Sequence, residues 1–193
     1  MKNQYNFRIV NRFEENIIID TLSKISHKIS TILDTIDYTL CIVFYESGSK
    51  INFPSIYLAP NNLLKIIDKL GPNAGIISAG IYFGFIKRNN FLLSLEGAEF
   101  LWKLNSFSDS NLVKVNTDGE KAILYGNKLQ KKMILQLSND TKMNDFLLIF
   151  NKTNELICIA QSQVNFGDIK NLTNHEIVAL NLVDKGYYLR KKQ

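Results

Sequence analysis

Lys128, Lys131 and Lys132 crowd one short stretch of this chain, and Lys185, Arg190, Lys191 and Lys192 crowd its C-terminal end. Ammonium and guanidinium groups at that density suit phosphate oxygens, held either as point charges or through paired N–H donors. Asn127, with backbone N–H groups near Gly126, would add directional hydrogen bonds. Tyr125 offers a ring on which an unpaired base can stack, although from the residue alone the ring is expected to pack inside the core. The competing reading of the lysines is that they keep the protein soluble and that a basic tail frays.

Other chemistries lack their parts. The two histidines, His27 beside an apolar helical stripe and His175 in a polar loop, have no motif around them. No nucleophile elbow, zinc pattern, dinucleotide fingerprint or Walker loop occurs, and lone carboxylates such as Asp168 and Glu176 read as solvated surface. Cys41 in Leu40–Phe44 and Cys158 in Leu156–Ile159 lie in strand-like apolar runs and read as small core residues, not as a disulfide or a metal pair. The expectation is therefore a protein with no catalytic residues, no metal and no cofactor.

The charge is uneven. Residues 1–111 hold 11 Lys/Arg against 10 Asp/Glu, a net of +1, and residues 112–193 hold 12 against 8, a net of +4. A basic C-terminal part joined to a near-neutral one points to a polyanionic partner for the former. No apolar run reaches the roughly 18 residues that cross a bilayer, and Met1 to Asn6 leads into mixed polar sequence, so a cytoplasmic protein without membrane contact is expected.

The elements that would position these groups follow from periodicity. Ile18, Leu22, Ile25, Ile29, Ile32 and Ile36 recur every three or four residues, one face of a single helix, with Asn11 and Glu14 as its capping box. Tyr38–Tyr45 and a run from Ile51 to Leu58 form a hairpin about Gly48, with Pro54 placing the second strand at an edge or on a bulge. Asn61–Leu70 is helical, with Leu63, Leu64, Ile67 and Leu70 inward and Gly71-Pro72 ending it. Gly75–Ile86 and Phe91–Leu95 are strands about the turn Lys87-Arg88-Asn89-Asn90, and a helix covers Glu96–Lys103. The aperiodic segment 106–111 is the linker. Beyond it, short β-runs at Leu112–Val115, Met133–Leu137, Phe146–Phe150, Leu156–Ala160 and Ile177–Val183 signal a small barrel.

Three blocks carry a family resemblance. Ser78-Ala79-Gly80-Ile81-Tyr82-Phe83-Gly84-Phe85-Ile86-Lys87 is a small-residue strand with two glycines and a basic turn. Gly119-Glu120-Lys121-Ala122-Ile123-Leu124-Tyr125-Gly126-Asn127-Lys128 is a Gly-Glu opening, a short helix and a glycine stop. Val183-Asp184-Lys185-Gly186-Tyr187-Tyr188-Leu189-Arg190 places a late glycine before a strand that closes the barrel. In this order they resemble the nuclear-import-protein-seven family of ribosome-assembly proteins, which join a pre-PUA domain to a PUA domain.

The resemblance implies an α+β protein. Residues 1–105 would be an α/β pre-PUA domain with a mainly antiparallel sheet and packed helices, 106–111 a linker, and 112–193 a PUA-type pseudo-β-barrel. It implies RNA contact through Tyr125, Asn127, Lys128, Lys131, Lys132, Lys170, Lys185 and Arg190, on pre-rRNA or rRNA of the large subunit. Other assembly proteins would meet the N-terminal domain of a monomer. The alternatives are a subunit of an RNA-modification system and a protein-only scaffold without RNA contact. The chain departs from the family in Leu156–Ala160, which lacks glycines, and in Gln161–Lys170, whose one lysine and one aspartate weaken RNA contact along that edge.

Overall fold

Alternating apolar residues, two buried thiols and a set of short helices resolve into two antiparallel-rich sheets in a computed structural model that describes residues 4–46, 53–70 and 75–190. The chain divides into two units, Met1–Ser106 and Phe107–Gln193. Gly48, Ile51, Gly71, Pro72, Lys191 and Lys192, used in the sequence reading, lie outside the described residues.

The first unit runs β1 (Gln4–Ile9), α1 (Arg12–Ile25), α2 (His27–Thr35), β2 (Tyr38–Glu46), β3 (Ser55–Pro60), α3 (Asn61–Leu70), β4 (Ile81–Lys87), β5 (Asn90–Leu93) and α4 (Leu95–Lys103). Its five strands pair antiparallel in chain order. The Asn11–Glu14 capping box forms as expected, and Glu14 also takes a two-pronged ion pair from Arg8, which with the Asn11 N–H holds the Glu14 carboxyl below its usual range.

The single helix expected from the isoleucine stripe is two helices. The stripe still packs, with Ile18, Leu22 and Ile29 fully buried, but the backbone turns extended at Ser26. Ser26 Oγ donates to the Ser106 carbonyl at 2.6 Å, a partner 80 residues away that periodicity could not reveal. Pro54 does not put its segment at the edge: β3 begins at Ser55 and lies between β2 and β4. A register shift at Ile56/Tyr57 supplies the bulge. The proline precedes the ladder and only its carbonyl is used, accepting from Ile86 N–H at 3.0 Å.

Of the face expected to point inward on α3, Leu63, Leu64 and Ile67 are half-buried, whereas Leu70 faces outward at 61% exposure. The Arg88-Asn89 tip is a two-residue hairpin loop with φ of 50° and 58°, the left-handed pair that matches the strand twist.

The second unit runs β6 (Leu112–Val115), α5 (Thr117–Leu124), β7 (Leu129–Gln130), β8 (Ile134–Leu137), β9 (Phe146–Phe150), β10 (Leu156–Ser162), β11 (Ile177–Asp184) and α6 (Tyr187–Arg190), with 3-10 turns at Asp109–Asn111, Lys131–Met133 and Phe166–Asn171. Strand order is β7-β11-β10-β9-β6-β8, antiparallel except for the β6–β9 pair. Flat, a six-stranded sheet would hold its edges about 24 Å apart. Yet the edge strands β7 and β8 are joined by only Lys131–Met133, which can span at most ~14 Å. The sheet must therefore curl and bring its edges together, which makes it a barrel-like fold around Val113, Val115, Ile123, Leu129, Leu147, Ile149 and Ile157.

Gly186 does not lead into a closing strand. A short helical turn follows it, so Tyr187 and Tyr188 do not alternate across a sheet. Both thiols are core groups as expected, and burial pushes Cys41 up to about 11 and Cys158 higher still. Segment 106–111 has firm anchors at both ends. Ser106 Oγ donates to Leu101 O at 2.7 Å within the first unit, and Asn111 Nδ2 donates to Phe146 O at 2.8 Å within the second.

Ser94 joins α4 to β4. Its buried hydroxyl accepts from Gly97 N–H at 2.9 Å as the helix cap and donates to Tyr82 O at 2.7 Å. Replacing Ser94 by alanine removes both bonds and is expected to cost about 1–2 kcal/mol in urea unfolding. Lys28→Ala, on the exposed surface of α2, should leave the midpoint nearly unchanged.

Candidate nucleic-acid interface

The barrel seam sets the position of the lysines. Asn116 caps α5 by accepting from Gly119 N–H at 2.8 Å, and it also donates through Nδ2 to Lys132 O at 2.9 Å and through its backbone N–H to Met133 O at 2.9 Å. Gly119 lies in the first turn of α5. A Cβ there would come within 2.9 Å of Met133 Cβ and 3.0 Å of Val115 Cβ, so its absence lets the helix lie on the seam. On the other side, Lys131 and Lys132 donate their backbone N–H groups to Glu176 O at 3.0 Å and Asn174 O at 3.1 Å. The seam is hydrogen-bonded from both flanks.

Gly126 behaves as its sequence context predicts. At φ +84° it ends α5 in a Schellman motif, with Gly126 N–H bound to Ile123 O at 2.8 Å and Asn127 N–H to Ala122 O at 2.9 Å. Those N–H groups are consequently spent on the helix end and do not face a phosphate, contrary to the sequence expectation. The two basic stretches do meet in space at this point. Arg190 packs its guanidinium over Gly126, donates to the Leu124 carbonyl, and grips Asp184 with two bonds of 2.9 Å. Asn181 Nδ2 bridges Ile123 O at 3.1 Å and Asp184 Oδ2 at 3.0 Å. A cation at the carbonyl end of a helix is favourably placed, and the pairing with Asp184 raises the Arg190 pKa above its ordinary value. A Cβ at Gly186 would strike the Leu124 carbonyl, so this glycine also permits a close approach.

The eight residues picked out in the sequence fall into three groups. Tyr125, Asn127, Lys128, Lys170 and Lys185 are exposed, Tyr125 at 75%, which removes the reading of its ring as core. Lys131 reaches over the end of the Phe166–Asn171 turn, where its Nζ donates to Leu172 O at 2.7 Å and Lys170 O at 3.4 Å. Lys132 Nζ lies 3.2 Å from His175 Nδ1. Thus Lys131, Lys132, Lys170 and His175 share one neighbourhood, while Arg190 is a structural clamp at the end of α5.

Sequence reading missed Asn116, Asn181, Asp184 and His175 as members of this region. Only the Asn116–Gly119 spacing, a helix-cap signature, was there to find. One anion sits among the cations. The Glu176 carboxyl is held below its usual range, chiefly by the Thr173 N–H and further by the Lys131 charge.

Two substitutions separate scaffold from surface. Asn116→Ala should lower stability by about 1–2 kcal/mol and speed hydrogen exchange at the Lys131 and Lys132 amides, measured by mass spectrometry or NMR. Arg190→Ala leaves the Asp184 carboxylate, 3% exposed, without its cation. The expected result is a lower urea midpoint, tempered by the guanidinium's own 34% exposure. Adding Asp184→Asn should restore part of the loss.

Residues 111–193 match the family described as UPF0113 PUA domain. The chain is 28% identical over 138 residues to a UPF0113 protein of Archaeoglobus fulgidus, covering 72% of this chain and 74% of the relative. Against the 60S ribosome subunit biogenesis protein nip7 of Schizosaccharomyces pombe it is 24% identical over 136 residues, covering 70% and 73%. In fold it resembles a hypothetical protein of Pyrococcus horikoshii, with a TM-score of 0.59 at 12% identity over 92% of this chain and 93% of the other. It also resembles a PUA-domain protein of Thermoplasma acidophilum, with a TM-score of 0.52 at 15% identity over 96% and 98%. The barrel closed as described is thus a PUA domain of the UPF0113 type over residues 111–193, and the chain is similar over about 70% of its length to archaeal UPF0113 and eukaryotic Nip7 proteins.

Proposed function

We propose that this chain is a non-catalytic RNA-binding protein that acts in assembly of the large ribosomal subunit, gripping pre-rRNA or rRNA with the lysine face of its C-terminal unit. The observation that carries this reading is the cationic neighbourhood built on the barrel seam, where Lys131, Lys132 and Lys170 converge beside exposed Lys128, in a PUA domain whose relatives bear the name of 60S biogenesis proteins. Phosphate contacts from lysines position RNA without reading sequence, and exposed Tyr125 adds a stacking surface for an unpaired base. Division of labour follows the two units. The C-terminal one takes RNA, and the N-terminal one is available to other assembly proteins.

The non-catalytic part of the proposal draws on the burial of the nucleophile candidates. Cys41 and Cys158 are inaccessible thiols held protonated at neutral pH, and a buried thiol is inert. The work left for the exposed groups is holding and placing.

Binding of single-stranded and structured RNA across a salt series tests the reading. Wild type should bind in the micromolar range or tighter at physiological salt. Changing Lys128, Lys131 and Lys132 together to alanine should weaken binding and flatten the log–log salt slope by about 2 for single strands. Absence of wild-type binding would instead favour a scaffold that meets only proteins. A triple variant with an unchanged slope would move the RNA site elsewhere.

A further inference from the structure

A polar cavity of 630 Å³ opens in the second unit, lined among others by Ser110, Asp140, Thr141, Lys142, Asn165 and Phe166. The Phe166–Asn171 turn connects it to the lysine face. Phe166 begins that turn at the cavity, and Lys170 near its other end is the residue whose carbonyl Lys131 approaches. At the ~2 Å rise of a 3-10 helix the two lie about 8 Å apart along the turn, roughly the reach from a backbone phosphate to a base turned out of its stack. We propose that the cavity receives one unpaired base of the RNA, a guanine, while the flanking phosphates rest on the lysines. This rests on the RNA-binding reading above and extends it by naming a base-reading site.

The walls are already fixed. Thr141, 2% exposed, donates from Oγ1 to Ser110 O at 3.3 Å and accepts at its carbonyl from Phe166 N–H at 2.9 Å. Asn165 accepts from Met143 N–H at 3.1 Å and donates to Asp168 at 2.9 Å. Asp145 is occupied in the same way by Lys142 N–H at 2.7 Å.

The choice of base follows from its edges. A carboxylate presents two acceptors and no donor. Guanine alone carries two adjacent donors, N1–H and the 2-amino group, on the edge by which extruded bases are read. Adenine and cytosine set an acceptor beside their amino group, and uracil flanks its one N–H with two carbonyls. Asp140, exposed at the cavity wall, is the carboxylate that fits the guanine pair, and the Phe166 ring offers the stacking surface. The acidic groups here also explain why the phosphates belong on the lysines and not in the cavity.

Two arms test the proposal. In the first, guanosine, inosine and uridine 5′-monophosphates are each titrated into the whole protein and backbone amides are followed by NMR. Shifts at Thr141, Lys142 and Phe166 should appear with guanosine monophosphate, weaken about tenfold with inosine monophosphate or in Asp140→Asn, and be absent with the uridine compound. Phe166→Leu should weaken them as well. Equal shifts with all three would mean that Lys142 merely binds phosphate, no shifts would mean that the cavity is empty of function, and larger shifts with arginine amide would assign it to a basic side chain of a protein. Each of these overturns the guanine site.

In the second arm, Asp140→Asn should reduce the preference of the protein for a guanine-containing oligonucleotide over an oligouridine while leaving the lysine-dependent salt slope intact. If the preference is unchanged but the lysine triple variant still loses binding, the cavity proposal fails and RNA binding stands. If neither oligonucleotide binds, the RNA reading fails, and the mononucleotide titration still decides the cavity.

Discussion

Everything in the second unit depends on one short connection. Lys131–Met133 joins the two outer strands of a six-stranded sheet, and three residues cannot cross the width of a flat one. Curling closes the barrel, buries Met133, and forces Lys131 and Lys132 to the rim beside the loop that precedes β11. Helix α5 can then lie on the seam only because Gly119 has no side chain and because Asn116 serves both the helix and the seam backbone. The far end of α5 is fixed by Gly126 and by the Arg190–Asp184–Asn181 clamp. Basic residues in this region are therefore of two kinds. Some hold the scaffold, and others face outward from it.

That distinction sets the electrostatics. Arg190 is neutralised by Asp184, and Lys131 spends donors on carbonyls while keeping its charge. Exposed Lys128, Lys170 and Lys185 contribute mobile charge of the sort that binds RNA with a strong salt dependence. Rigid support beneath flexible cations allows a backbone to be held without a sequence code, which suits a factor that positions RNA. The cavity beside Phe166 would supply the missing base discrimination within the same unit.

Much of this was legible in the residues. Asn61–Leu70 was bounded correctly, the Lys87–Asn90 turn was read from its polar tip, and the five C-terminal β-runs match strands to within a residue or two, because turn chemistry and alternation act locally. Some failures trace to a partner distant in sequence. The break at Ser26 is fixed by Ser106, whereas the bulge allowed for beside Pro54 is present and a Cβ at Gly119 or Gly186 would indeed clash, with Met133 and with the Leu124 carbonyl. Lysine spacing likewise suggested a phosphate face but could not say that Lys131 and Arg190 already had carbonyls to bind. Tyr125, read from the residue alone as a core ring, stands in solvent instead because the Schellman turn points the chain away from the core.

The most direct test of the central claim, that RNA is held by the seam-side face of the second unit, is ultraviolet cross-linking of the whole protein to single-stranded RNA with peptide mapping by mass spectrometry. Cross-links should fall at Tyr125 and in the peptides carrying Lys128, Lys132 and Lys170. Cross-links confined to Met1–Ser106, or spread evenly over both units, would contradict the account.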